Sequence, residues 1–173
     1  MKYRTVLNIF KMPRIDPQQL LKTLGVLLGP HGGIKSSEEV SRLVQLMQKF
    51  SRKLVSKCIY IRILKATPNE LIEQFLDKRG WELLNQWFSD AIKTQNWPLC
   101  REMIQLFNMC PISATRLKEN VEENHAPKLI NQLRQETSVE EDIKSLATEV
   151  YINWVKIVSP AASAHLAQNA IQK

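Results

Sequence analysis

The chemistry that stands out in this sequence is one of charge. Between Ser41 and Asn69 stand seven basic side chains, Arg42, Lys49, Arg52, Lys53, Lys57, Arg62 and Lys65, and no acid. Lys49, Lys53 and Lys57 are spaced by four, the interval that puts side chains on one helical face. Such a row can hold an anionic partner, or it can simply be a solvated face. A duplex reader would set base-reading Arg or Asn beside its phosphate-binding lysines. A single-strand binder would interleave aromatic platforms. Here the aromatics are Phe50 and Tyr60, and both fall on or near the apolar face. The run is therefore a weak nucleic-acid signal.

Catalytic and metal-binding constellations are missing from the sequence. Cys58, Cys100 and Cys110 are odd in number and widely spaced, with no Cys-x-x-Cys pair. That fits a reducing compartment and excludes a disulfide scaffold or a four-cysteine zinc site. His31, His125 and His165 have no second histidine or cysteine at ligand spacing. No Gly-x-Ser-x-Gly, His-Glu-x-x-His or Gly-x-Gly-x-x-Gly motif occurs. Gly29-Pro30-His31-Gly32-Gly33 has the composition of a phosphate loop, but it lacks the Lys-Ser/Thr and no strand precedes it. It reads as a turn. The expectation is a non-catalytic chain with no cofactor or metal, in which Cys100 and Cys110 are buried structural thiols.

Charge is also uneven along the chain. The 173 residues carry 24 Lys and Arg against 17 Asp and Glu, a formal net charge of +7. Residues 1–79 hold 15 basic and 6 acidic side chains, and residues 80–173 hold 9 and 11. A basic half points to an anionic partner: nucleic acid, a membrane surface or an acidic peptide. Hydrophobic residues at 44%, with 5 Gly and 8 Pro, match an ordinary globular domain. No apolar run approaches the ~18–20 residues of a membrane span.

The elements that must position these groups read as helices. Asp16-Pro17 is an N-cap with proline at the first helical position, and leucines follow from Leu20 to Leu28 at helical spacing. Ser36 with Glu39, Thr67-Pro68-Asn69-Glu70 and Ser138 with Glu141 read as capping boxes. Val40–Phe50 and Leu54–Leu64 carry apolar stripes. Cys58–Leu64 is β-branched enough for a strand, but no partner strand appears, so it is assigned to a buried helix. Gly80 restarts the chain into Trp81, Leu84, Trp87 and Phe88, and Asn96-Trp97-Pro98 opens the next helix. Pro111 stops that helix, Leu117 sits on a short one, and Ala126-Pro127 starts another. The last helix runs from Ile143 to Ile157. Trp87 and Trp154 fit core stripes, whereas Trp81 and Trp97 open helices and are expected to keep an exposed edge. About eight or nine short helices and no convincing strand make an all-α bundle or a short α-solenoid. Residues 1–14 form an N-terminal arm, 15–158 a helical domain and 159–173 a tail or linker. A cleaved presequence of an organelle-targeted enzyme is the competing reading of the basic, acid-free arm.

A resemblance narrows this. Leu129-Ile130-Asn131-Gln132-Leu133-Arg134, an acidic loop, then Ile143, Leu146-Ala147, Val150, Trp154 and Ile157 resemble the TFIIS N-terminal domain, or LW domain. The upstream Gly80-Trp81-x-Leu83-Leu84-x-x-Trp87-Phe88 is similar to the same family's repeated helix. Ile15-Asp16-Pro17, Ile34-Lys35-Ser36, Lys53-x-Val55-Ser56-x-Cys58-x-Tyr60 and Leu117-Lys118-x-Asn120 resemble the nuclear-targeting regulatory subunits of protein phosphatase 1. The likeness runs from about residue 13 to 158. It implies a compact right-handed, HEAT-like bundle extended by extra N-terminal helices.

The function implied is a nuclear, chromatin-associated scaffold that docks disordered acidic-hydrophobic motifs of transcription elongation factors. Implied partners are an HMG-box protein and a WD-repeat protein. Phosphatase 1 itself would be bound by segments outside this chain, because Ile152-Asn153-Trp154 lacks the preceding basic residue of a phosphatase-docking motif. The expected peptide site comprises Lys128, Asn131, Arg134, Lys118 and Trp97, where Asn131 and Arg134 match the family's Asn-x-Leu-Arg. Gln135 replaces a second basic residue, which weakens that site. Val121–His125 is an acidic stretch that looks inserted and could mask part of the groove. The basic set from Lys49 to Lys65 remains a secondary patch, with nucleic acid as the alternative ligand and no membrane partner.

Overall fold

A computed structural model describes residues 15–120 and 122–160. The expected N-terminal arm, nearly all of the expected tail and Val121 lie outside the described residues. Among those described, the chain is all-α, with one isolated antiparallel bridge between Leu28 and Ile34 and no named strand. The α-helices are α1 (Pro17–Gly25), α2 (Ser37–Lys49), α3 (Leu54–Ala66), α4 (Asn69–Phe75), α5 (Trp81–Lys93), α6 (Trp97–Met109), α7 (Ala114–Glu119), α8 (Ala126–Gln135) and α9 (Glu141–Val158), with a π-helical turn at Leu76–Gly80. The chain divides into two compact units, one up to Leu83 and one from Leu84 onward.

In the first unit, helix starts and stops follow from local chemistry. Asp16 accepts from the Gln18 N–H at 3.2 Å and Pro17 opens α1, as its sequence requires. The Gly29–Gly33 segment is a turn, closed by Gly29 N–H to the Gly33 carbonyl at 2.8 Å. Gly32 takes φ +87°, the left-handed region that glycine tolerates. A Cβ on Gly33 would strike the Ala66 backbone, so glycine is required for this turn to lie against the end of α3. Thr67 fixes the contact. Its hydroxyl accepts from Ile34 N–H at 3.0 Å and donates to the Ile63 carbonyl at 2.7 Å. Thr67 therefore does not cap the following helix, whose N-cap position is Pro68.

The Cys58–Leu64 stretch is helical as expected, with Tyr60, Ile61, Ile63 and Leu64 buried. The Tyr60 hydroxyl lies 3.0 Å from both the Leu46 and Phe50 carbonyl oxygens; Leu46 already accepts the Phe50 N–H at 2.7 Å, so the hydroxyl chiefly serves the Phe50 carbonyl just past the end of α2. The chain kinks at Lys78 and Arg79, the latter held at φ 75°, before Gly80 leads into α5. Trp81 follows at 1% exposure. The expectation of an exposed edge on Trp81 is corrected: it begins α5 from inside the core of the first unit, not at its rim.

The second unit is built around α9, which packs on α6, α7 and α8. Phe88, Phe107 and Trp154, from α5, α6 and α9, form an edge-to-face ladder with centroid spacings of 5.3 and 5.9 Å. Each such pair adds about 0.5–1.5 kcal/mol beyond area burial. Asn96 caps α6 through Leu99 N–H at 3.3 Å. Ser138 does not cap α9; its hydroxyl donates to the Glu136 carboxylate, and Glu140 holds the N-cap position. Arg101 of α6 instead anchors the start of α9, pairing with Asp142 and with Glu140 at 3.3 Å. The Arg101 guanidinium holds the Asp142 carboxyl below its ordinary range. No helix among the described residues is long and apolar enough to cross a membrane.

Candidate peptide-docking site

Helix α8 carries the site. Its apolar stripe of Ala126, Leu129, Ile130 and Leu133 is buried against the unit's core. Pro127 sits in the first turn, where a missing N–H costs nothing. The Ala126 N–H, which has no partner within the helix, donates at 2.6 Å to the side-chain oxygen of Asn85 on α5. Asn85 is buried on the core face of α5. It ties down the start of α8, while the buried stripe sets the helix's rotation and so decides where the flanking polar residues point.

Those flanks differ. At about 100° per residue, Lys128 and Arg134 lie roughly 120° apart around the helix. Arg134 faces α9. Its Nε–H donates to the Asn131 side-chain oxygen at 2.7 Å, and its guanidinium stacks over the Tyr151 ring at 3.9 Å from the centroid. Tyr151 is also one wall of an apolar groove of about 200 Å³. Pro127, Leu117, Trp154, Val155 and Val158 complete its apolar lining. A held cation and an apolar slot thus share a side chain. Lys118, exposed on α7, directly follows the groove residue Leu117.

Lys128 faces the other way. Its ammonium pairs with Glu123 at 2.7 Å, and Gln132 on the same flank donates to the second Glu123 oxygen at 3.4 Å. The acidic stretch before α8 therefore does reach onto the helix, but on this flank. A separate cavity of about 200 Å³ is lined here by Trp97, Leu129, Gln132, Leu133 and Val139, among others. Trp97 is half-buried and lines this cavity, not the groove beside Arg134. The expected set of five is thus distributed: Asn131 and Arg134 come together, Lys118 adjoins their groove, and Lys128 and Trp97 lie on the opposite flank. Tyr151 was missed by sequence reasoning. Its signal was an aromatic one turn before Trp154 on the same helix.

The secondary basic set is also dispersed. The chain leaves the helix at Phe50, where φ is −127° and ψ 55°, and resumes it at Leu54. Lys49 ends α2, Arg52 and Lys53 stand between helices, and Lys57, Arg62 and Lys65 ride on α3. Lys49, Lys53 and Lys57 therefore do not share one helical face. Their spacing by four means nothing across a break held by the Tyr60 hydroxyl and the buried Ser51.

Cys100 is buried, as expected, whereas Cys110 is only half-buried. Burial pushes Cys100 up to about 11 and Cys110 up to about 12. No cluster of three or more His, Cys, Asp or Glu among the described residues is arranged to hold a metal ion.

No protein-family model matches the chain. Over 160 residues, 92% of its length, it is 32% identical to serine/threonine-protein phosphatase 1 regulatory subunit 10 of Sus scrofa. Identity to the Mus musculus protein of the same name is 31% over 160 residues. The Xenopus laevis protein is 31% identical over 145 residues, 83% of the chain. The chain spans only 17% of the length of each of these three relatives.

Proposed function

We propose that this chain, a homologue of the phosphatase 1 regulatory subunit 10 family, is a non-catalytic docking module of a phosphatase-targeting protein. Its ligand is a short disordered segment combining acidic residues with a bulky apolar anchor. The anchor enters the groove of Pro127, Tyr151, Trp154 and Val155, and the acidic flank meets Arg134. One observation carries this reading: the Arg134 guanidinium is already stacked on Tyr151, a wall of the apolar groove. Charge and slot are preorganised together, which lowers the ordering cost of binding. Because the peptide must itself be ordered, affinity is expected to be about micromolar.

By the resemblance described above, the helical region is of TFIIS N-terminal type and its ligands are segments of transcription elongation factors. The same resemblance makes the protein nuclear and chromatin-associated, in a complex with a WD-repeat protein and an HMG-box protein. Phosphatase 1 would be engaged by regions outside this chain. An NMR titration with an acidic peptide carrying a single Phe tests the site. Shifts should localise to Leu117, Arg134, Tyr151 and the Trp154 indole, and should vanish when the Phe is replaced by Ala. Shifts that survive loss of the anchor would overturn the reading.

A further inference from the structure

The first unit carries a larger groove that the α8 site does not use. It has a volume of about 330 Å³ and lies between α1 and α2. Its floor is Leu27, Leu46, Phe50 and Val26, the last 64% exposed. Arg42 and Lys49 stand along one side, on the same stripe of α2. The Lys49 ammonium is 5.4 Å from the Phe50 ring centroid, so a cation overhangs the apolar floor.

We propose that this groove is a second docking site, for an acidic segment of a partner protein with a large apolar anchor. Charge decides the sign of the ligand. From Val40 to Asn69 the sequence has no acid. Glu39, the acid just before this run, is shared between Lys35 at 3.9 Å and Arg42 at 3.7 Å. Size decides the anchor: a cavity of about 150 Å³ already accepts a benzene ring, and this groove is larger. The occupant is not supplied by the ends of the chain. Residues 1–14 carry Lys2, Arg4, Lys11 and Arg14 and no acid, and residues 161–173 carry no acid. A nucleic acid would satisfy the cations but leave the apolar floor unused. Two grooves of one chemistry, one in each unit, suit a partner with two acidic-hydrophobic segments, whose linkage would raise its avidity.

The test is a two-dimensional NMR titration of the 173-residue chain with a synthetic Glu/Asp peptide bearing one Phe, its Phe→Ala version and a DNA duplex. Localised shifts at Val26, Leu27, Leu46 and Phe50 that require the Phe are expected. Lys49→Glu and Val26→Asp, both at exposed positions, should each weaken this event by about tenfold with the unfolding midpoint unchanged. Arg134→Glu should leave it intact, which separates this site from the one on α8. Peptide shifts confined to the second unit would overturn the proposal. So would unaltered affinity in both first-unit variants, or shifts at this groove with DNA alone that disappear at high salt.

Discussion

Replacing Arg134 by Glu gives the sharpest test of the docking site on α8. The guanidinium is half-buried, tethered to Asn131 at 2.7 Å and stacked on Tyr151 at 3.9 Å. A hydrogen bond from a charged group contributes about 1.5–3 kcal/mol. Arg134 is partly solvated, so the lower end applies, and its loss in Arg134→Gln corresponds to about a tenfold rise in Kd. Charge reversal adds repulsion of about 1 kcal/mol and brings Arg134→Glu to about fiftyfold. Asn131→Ala keeps the charge but removes the tether, which is expected to cost about 1 kcal/mol, or roughly fivefold. Arg134→Lys also keeps the charge but loses the planar stack, and should fall between the parent and Arg134→Gln. The assay is fluorescence anisotropy of a labelled acidic-Phe peptide at low and high salt, with circular dichroism confirming unchanged helicity. Unchanged affinity in Arg134→Glu refutes the placement. Equal losses for Asn131→Ala and Arg134→Glu would refute the tether argument, because Asn131 would then be contacting the ligand itself.

Trp154→Ala removes one end of the Phe88–Phe107–Trp154 ladder and should cost about 3–5 kcal/mol in chemical denaturation; a loss below about 1 kcal/mol would mean the ring is not a core member. Tyr60→Phe removes the hydroxyl donor of the Phe50 carbonyl, while Leu46 keeps the Phe50 N–H, and should destabilise by about 0.5–1.5 kcal/mol in the same assay. Cys100 and Cys110, raised from 9.0 to about 11 and about 12, should hold roughly a hundredfold and a thousandfold less thiolate at neutral pH than an unperturbed thiol. Mass-resolved alkylation should show both lagging far behind a model thiol. The sign of the linkage follows: both thiols are neutral in folded and unfolded states below about pH 9, and above it the unfolded chain loses protons first, so stability falls as pH rises.

Helix existence was largely legible in the sequence, and helix starts were legible only in part. Asp16 caps as read, and Asn96, read as opening α6, caps it; each has a proline locking the first turn beside it. The three capping boxes failed to show their side-chain caps for separate physical reasons. Thr67 is captured by a tertiary contact with Ile34, thirty-three residues away. Ser138 belongs to the turn before α9 and points at Glu136. Ser36 holds the N-cap position with extended backbone but makes no side-chain cap, while Glu39 lies between Lys35 and Arg42. None of these competitors is visible in a local window. The same limit explains Trp81: its place at a helix start is local information, and its burial is tertiary.

The candidate site shows what a motif conceals. Lys128, Asn131 and Arg134 read in sequence as members of one peptide site, but a helix with a buried stripe at Ala126, Leu129, Ile130 and Leu133 has two flanks, and the expected site spans both. Burial of that stripe sets the rotation, so Arg134 is committed to the side where α9 offers Tyr151 and Trp154. The acidic stretch then acts on the other side, where Glu123 engages Lys128 and Gln132. That pair is largely exposed and individually weak, but it offers an approaching acidic peptide a carboxylate already seated on Lys128. The flank beside the apolar groove keeps its cation held toward the slot. Under the proposed docking, steering and anchoring would share one face of α8, although the residue types alone would have allowed either.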